Sequence, residues 1–229
     1  MPHLKTRNSP YLIALPILIA YLIFFSACIN DSPRQILPKA AKGVLDLSDW
    51  DLKEDGPVDL IGEYEFYWMQ HLLPEDFSKA TQSEKTEFIK VPGYWAGHKL
   101  GGKKLPGHGY VTYRLKVVLN KQAEPLALKT VEIANAYFIY VNGQRVGSLG
   151  IPGNSRETTV PQQFPQIADF LHNTNQMEVI IQVSNFHHRR GGIWEVIQLG
   201  REKDLRESQH RRLRFDLFLI GSIFLMALY

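Results

Sequence analysis

Short runs that alternate apolar and polar positions dominate the middle of the chain. From Tyr110 to Leu119 the apolar residues Val111, Tyr113, Leu115, Val117 and Leu119 recur at every second position, which predicts a strand with one buried face. Leu126–Ile133 and Tyr137–Val141 follow, then Asn142-Gly143 and a further run, Arg145–Leu149. Asn-Gly between two apolar runs predicts a tight hairpin, because both residues accept the positive φ of a type I′ turn. Met177–Val183 and Ile193–Leu199 complete the strand set, and only Pro74–Lys85 and Ile167–Leu171 look locally helical. Strands at this spacing, with turns between them and hardly any helical periodicity, predict an all-β antiparallel sandwich.

Both ends of the chain break this pattern with apolar stretches that lack any charge. Tyr11–Ala27 follows His3, Lys5 and Arg7 and contains no acidic residue, the layout of an export signal. It ends in Phe25-Ser26-Ala27-Cys28, small residues before a cysteine, which resembles the lipobox of bacterial lipoproteins and makes Cys28 the expected lipidation site. An uncleaved signal anchor is the alternative. Leu217–Tyr229, LFLIGSIFLMALY, is the second stretch. At ~1.5 Å per residue it spans roughly 20 Å as a helix, short of a ~30 Å hydrocarbon core, so it is expected to be the start of a transmembrane helix. Glu202–Asp216 predicts a helix leading into it. The basic flank Arg206, Arg211, Arg212 and Arg214 would favour a cytoplasmic side, but long exported domains are translocated largely regardless of charge, and acidic residues are interspersed. The expected organisation is a signal peptide over 1–27, a spacer over 28–42, a sandwich over 43–200, a juxtamembrane helix over 201–216 and a membrane-entering helix over 217–229.

Charge and cysteine content narrow the function classes. The chain has 26 basic and 23 acidic residues, a net charge of +3, and no basic tail, which gives no support for nucleic-acid binding. Cys28 is the only cysteine, so an intramolecular disulfide and a multi-cysteine metal site are excluded.

Several segments together carry a resemblance. Trp95, the strand Gly107–Arg114, the segment Ala136–Gly143, and Val183-Ser-Asn185 ahead of a Gly-Gly turn look like the galactose-binding-like jelly roll. That fold includes the sugar-binding domain of β-galactosidase-type and β-glucuronidase-type glycosidases. The opening Gly43-Val-Leu-Asp-Leu, Gly62–Trp68, Val91-Pro-Gly-Tyr-Trp95 and Asn185–Gly192, with an apolar helix just after the sandwich, are similar to bacterial seven-transmembrane receptors with diverse intracellular signalling modules. The resemblance implies an exported jelly-roll domain followed by seven helices and a cytoplasmic output module such as a cyclase, kinase or phosphatase. Only the first of these helices is begun here, so no enzymatic activity follows for these residues.

The candidate ligand contacts are Trp95, His187, His188, Arg189, Arg190 and Trp194. Trp95 lies between Gly93 and Gly97 and offers an aromatic face for a sugar ring, although tryptophan in a sandwich is more often core. His187-His188-Arg189-Arg190 follows the strand Met177–Val183 on a loop ending in Gly191-Gly192, the kind of position where binding functions concentrate. Its two arginines present donor forks suited to a carboxylate or phosphate; a solvated turn is the plain alternative. Adjacent histidines on an extended chain face opposite ways, and adding His98 and His108 produces no required ligand spacing, so no metal is expected. Gly97–Lys104 fits G-x-x-x-x-G-K but has Lys104 where a phosphate loop needs Ser or Thr; a flexible loop is expected there instead. No G-x-S-x-G occurs and the carboxylates single out no acid/base pair.

The leading expectation is a ligand-sensing ectodomain of a membrane receptor, without cofactor. Its expected partners are a carbohydrate or small anion, membrane lipid and a second copy of itself. The alternatives are a stand-alone anchored lipoprotein that binds envelope glycan or a partner protein, and a sugar-acting enzyme.

Overall fold

The computed structural model describes residues 37–79, 87–120 and 124–228. The expected signal peptide, Cys28 and most of the spacer lie outside the described residues, as does the second half of the expected helix Pro74–Lys85. The strands are β1 (Val44–Leu47), β2 (Val58–Asp59), β3 (Gly62–Trp68), β4 (Glu87–Val91), β5 (Gly93–Tyr94), β6 (Lys99–Leu100), β7 (Lys103–Lys104) and β8 (Gly109–Leu119). They continue as β9 (Leu126–Thr130), β10 (Ile133–Ala134), β11 (Ala136–Val141), β12 (Gln144–Leu149), β13 (Gln166–Phe170), β14 (Gln176–Asn185), β15 (Gly192–Ile193) and β16 (Gln198–Arg201). The helices are α1 (Pro74–Lys79) and α2 (Glu202–Leu228).

Two antiparallel sheets form the sandwich. The larger runs β12-β11-β14-β8-β3-β4, with β1 added parallel to the C-terminal half of β8; the smaller runs β13-β9-β16-β2. Alternation along β8 sends Val111, Tyr113, Leu115, Val117 and Leu119 into the core, each at most 4% exposed. They meet Tyr64, Ile139, Val179 and Ile181 of the same sheet and Leu128 and Leu199 of the other in one buried cluster. Burying each large aliphatic side chain contributes roughly 1.5–3 kcal/mol. Tyr64 keeps its hydroxyl satisfied by donating to Leu60 O at 2.9 Å.

The Asn142-Gly143 hairpin forms as its sequence predicts: φ is 47° at Asn142 and 84° at Gly143, and Val141 pairs directly with Gln144. Two expectations are corrected. Ile167–Leu171 is not helical; all but Leu171 lies in β13, paired with β9 from Gln166↔Thr130 to Phe170↔Leu126. Gly97–Lys104 is not a loose loop but contains the β6–β7 hairpin, turning at Gly101-Gly102. The sandwich also starts earlier than residue 43, because Ala40 is buried and pairs its backbone with Ile61 and Glu63.

The outer face of the larger sheet is covered by the strap Met69–Phe77. Thr112 accepts from Leu72 N and donates to Gln70 O, while Gln182 Nε2 donates to Leu72 O. Ser184 donates to Gly153 O and so accepts from His71 Nε2 at 3.1 Å. Buried polar side chains here therefore hold backbone rather than lie unpaired, as the cost of an unsatisfied group requires. Helix α1 starts with Pro74 at its first position, and Asp76 accepts from Leu73 N, a capping arrangement.

Helix α2 grows directly out of β16. Arg201 grips Asp204 through two hydrogen bonds of 2.6 and 3.1 Å, Leu205 is 1% exposed, and Arg206 bridges Glu202 and Asp169 of β13. The single helix covers both the expected juxtamembrane segment and the described part of the apolar run. No helix among the described residues is long and apolar enough to cross a membrane.

Candidate ligand-binding site

Three short strands, β10-β15-β5, form a separate small sheet that ties together the chain around Tyr94, Asn135 and Gly192. This sheet sets the position of the His187–Arg190 turn. Asn185, at the end of β14 and fully buried, organises the turn from below. Its amide nitrogen donates to Gly107 O and His188 O, both at 2.8 Å, and its oxygen accepts from His188 N at 3.0 Å. Arg190 N donates to His188 Nδ1 at 3.3 Å, so the turn is internally bonded and its side chains project from a fixed backbone.

The candidate residues separate into two groups. Trp95 is 0% exposed; its ring packs against Trp68 at 5.6 Å and is closed by Gly191, where even a Cβ would come within 2.0 Å. The expectation that Trp95 stacks a sugar is therefore corrected, since burying so large a ring leaves no face for a ligand. Trp194 is half-buried beneath the turn, with the His188 ring edge-on at 4.7 Å. His187, His188 and Arg189 are exposed. Arg190 lies over Tyr94, its guanidinium carbon 4.4 Å from the ring centroid, a cation–π contact.

Tyr94 is the residue that the sequence reading passed over. It sits in Val91-Pro-Gly-Tyr-Trp beside the larger Trp95, and period-2 alternation assigns one of the two to the outside; it is Tyr94, 48% exposed. Tyr94 also lines an open groove of about 490 Å³ with Glu63, Phe88, Ile89, Lys90, Pro92, Gly93 and His98. The groove runs by β4, the edge strand of the larger sheet. His98 meets Phe66 edge-on at 5.9 Å, while His108 is exposed on a different loop. No group of three or more metal-ligating side chains occurs among the described residues.

Chemically, the arrangement offers guanidinium and ammonium donors around an exposed aromatic ring, with Glu63 as a carboxylate acceptor. Such a set suits recognition of hydroxyl-rich or anionic molecules. The one serine–histidine hydrogen bond among the described residues, Ser184–His71, ties the strap to the sheet, and Ser184 is 0% exposed with its proton committed to Gly153 O.

No family model and no curated protein matches the chain. Among solved structures it is similar to a beta-glucuronidase from an uncultured Clostridium sp., at 15% identity and TM-score 0.47, over 62% of this chain and 28% of that one. It is likewise similar to Ruminococcus gnavus beta-glucuronidase, at 14% identity and TM-score 0.48, over 62% and 27%. A third is a GH2 beta-galacturonidase from Eisenbergiella tayi, at 13% identity and TM-score 0.43, over 62% and 24%. The chain thus spans less than a third of the length of these structures.

Proposed function

We propose that the chain is the exported ligand-sensing part of a membrane signalling receptor of the seven-transmembrane type described above, with a galactose-binding-like jelly roll that binds a carbohydrate or small anion. The observation that carries the binding reading is the braced turn that holds Arg190 on the exposed ring of Tyr94, with Arg189 and His187 projecting beside it. Support for the receptor reading comes from α2, which is locked to β16 through Arg201 and Leu205 and continues into an exposed apolar end. A ligand acts through such a joint only by favouring one arrangement of sandwich and helix over another.

The test is a screen of glycans and small anions against the full chain, followed by titration of Arg190→Ala, Arg189→Ala, His187→Ala and Tyr94→Ala. Arg190→Ala is expected to weaken binding by about ten-fold, as loss of one charge-assisted contact does, without shifting thermal unfolding. Unchanged affinity in all four variants overturns the site.

A further inference from the structure

The β6–β7 hairpin places like charges directly opposite each other. Lys99 is the register partner of Lys104, and Lys103 that of Leu100. Like charges facing across a strand pair are destabilising, and none of these lysines forms an ion pair with another described residue. The hairpin is nevertheless firmly attached. Gly97 N donates to Leu105 O, Leu105 N donates to His98 O, and Leu100 packs on the core. His98, next to Lys99, is also a wall of the groove that holds Lys90 and Tyr94, and Arg190 covers Tyr94. Lys99 and Lys104 therefore share the outer face of the hairpin, away from Leu100, and His98 links the hairpin to a groove that carries Lys90 and, as its carboxylate, Glu63.

We infer that the groove and the outer face of this hairpin bind an extended anionic polysaccharide, one sugar seated in the groove against Tyr94 and a further anionic group reaching Lys99 and Lys104. The occupant is a glycan rather than a flat lipid surface because the charges border a groove lined by Tyr94, Phe88 and Pro92, which suits a chain of pyranose rings with apolar faces. The unfavourable Lys99–Lys104 juxtaposition is relieved when an anionic group lies between the two ammonium groups. The inference rests on the ligand-binding reading above and adds to it the polymer and its direction.

The experiment uses the full chain in zwitterionic detergent, titrated with glucose 6-sulfate, with dextran sulfate of increasing length, and with uncharged dextran of the same lengths. Dextran sulfate affinity is expected to rise with length and to fall with added salt. The Lys99→Gln/Lys104→Gln variant is expected to lose about five-fold on long chains, as two exposed ion pairs lost together would, with glucose 6-sulfate binding unchanged. Glucose 6-sulfate binding with no length dependence overturns the extension and leaves the small-anion reading standing. Equal affinity for dextran, full retention of dextran sulfate affinity by the double variant, or a larger loss of phosphatidylglycerol vesicle binding than of dextran sulfate binding in that variant also overturns it. Absence of all binding removes both readings.

Discussion

Gly191 shows how a single position fixes the site. A Cβ there would lie 2.0 Å from Trp95 Cζ2, so Gly191→Ala must displace either the buried indole or the turn above it. Overpacking of this kind costs about 1–3 kcal/mol, and urea unfolding of the variant is expected to show that loss. Two histidines give a second residue-scale expectation. His71 has its pKa lowered by burial between the strap that carries it and the larger sheet. His172 is lowered by burial as well; Glu178 N fixes the Asn142 amide, whose nitrogen then donates to His172 Nδ1. Above about pH 6.5 folded and unfolded chains both carry neutral rings and stability is full. Below it the unfolded chain takes up protons that the folded chain refuses, so stability falls until the pH passes the depressed folded values. Thermal midpoints measured from pH 7.5 to 5 are expected to decline, and to decline less in His71→Gln. Which aromatic of Tyr94-Trp95 faces out was not legible beforehand, because both suit a loop and only the packing of Trp95 under Gly191 decides it.

Elements were legible where alternation was long or turn chemistry strict. Tyr110–Leu119 reads as a strand because five apolar positions share one face, and β8 follows it closely. Asn142-Gly143 reads as a turn because few other pairs accept two positive φ values. Gly143 has φ 84° with open space around it, so Gly143→Ala meets backbone strain alone and is expected to cost about 1 kcal/mol, read from chemical unfolding. Ile167–Leu171 departs from its helical expectation because five residues, apolar except at Asp169, fit either period. Its strand state is imposed from outside by β9. The expected strands Leu126–Ile133 and Ile193–Leu199 are each broken, after Thr130 and after Ile193, so that β10 and β15 are two-residue pieces, like β5 too short for a period of their own, yet together they build the platform for the turn. The Arg189–Arg190 fork was therefore visible in the sequence while Tyr94 and the groove beneath it were not.

At the scale of the whole molecule the sandwich and α2 are joined through a small contact that has to withstand whatever the helix experiences. Leu205 fills the space beside Gly200, and Leu205→Ala is expected to cost about 2–4 kcal/mol, more than loss of the exposed Arg206–Asp169 pair, which is worth ~1 kcal/mol or less. Beyond this joint the helix stops behaving like part of a globular domain. Phe218, Ile220, Ile223, Phe224, Leu225 and Met226 are 62–71% exposed, a contiguous apolar surface of the kind that marks a membrane or protein contact. Arg211, Arg212 and Arg214 precede it on the same helix; under the receptor reading proposed above they would meet lipid head groups where the apolar end enters a bilayer. Flotation of the full chain with liposomes measures this directly. The chain is expected to float with the vesicles, and Phe218→Asp/Leu225→Asp to move it into the unbound fraction, since each aspartate costs roughly 2.5–3.5 kcal/mol in a bilayer-centred helix. The sandwich should unfold at the same temperature in both proteins, because neither side chain touches its core. Flotation unchanged by the substitutions would place the membrane contact elsewhere on the chain and separate the sensing turn from the helix that the receptor reading requires it to move.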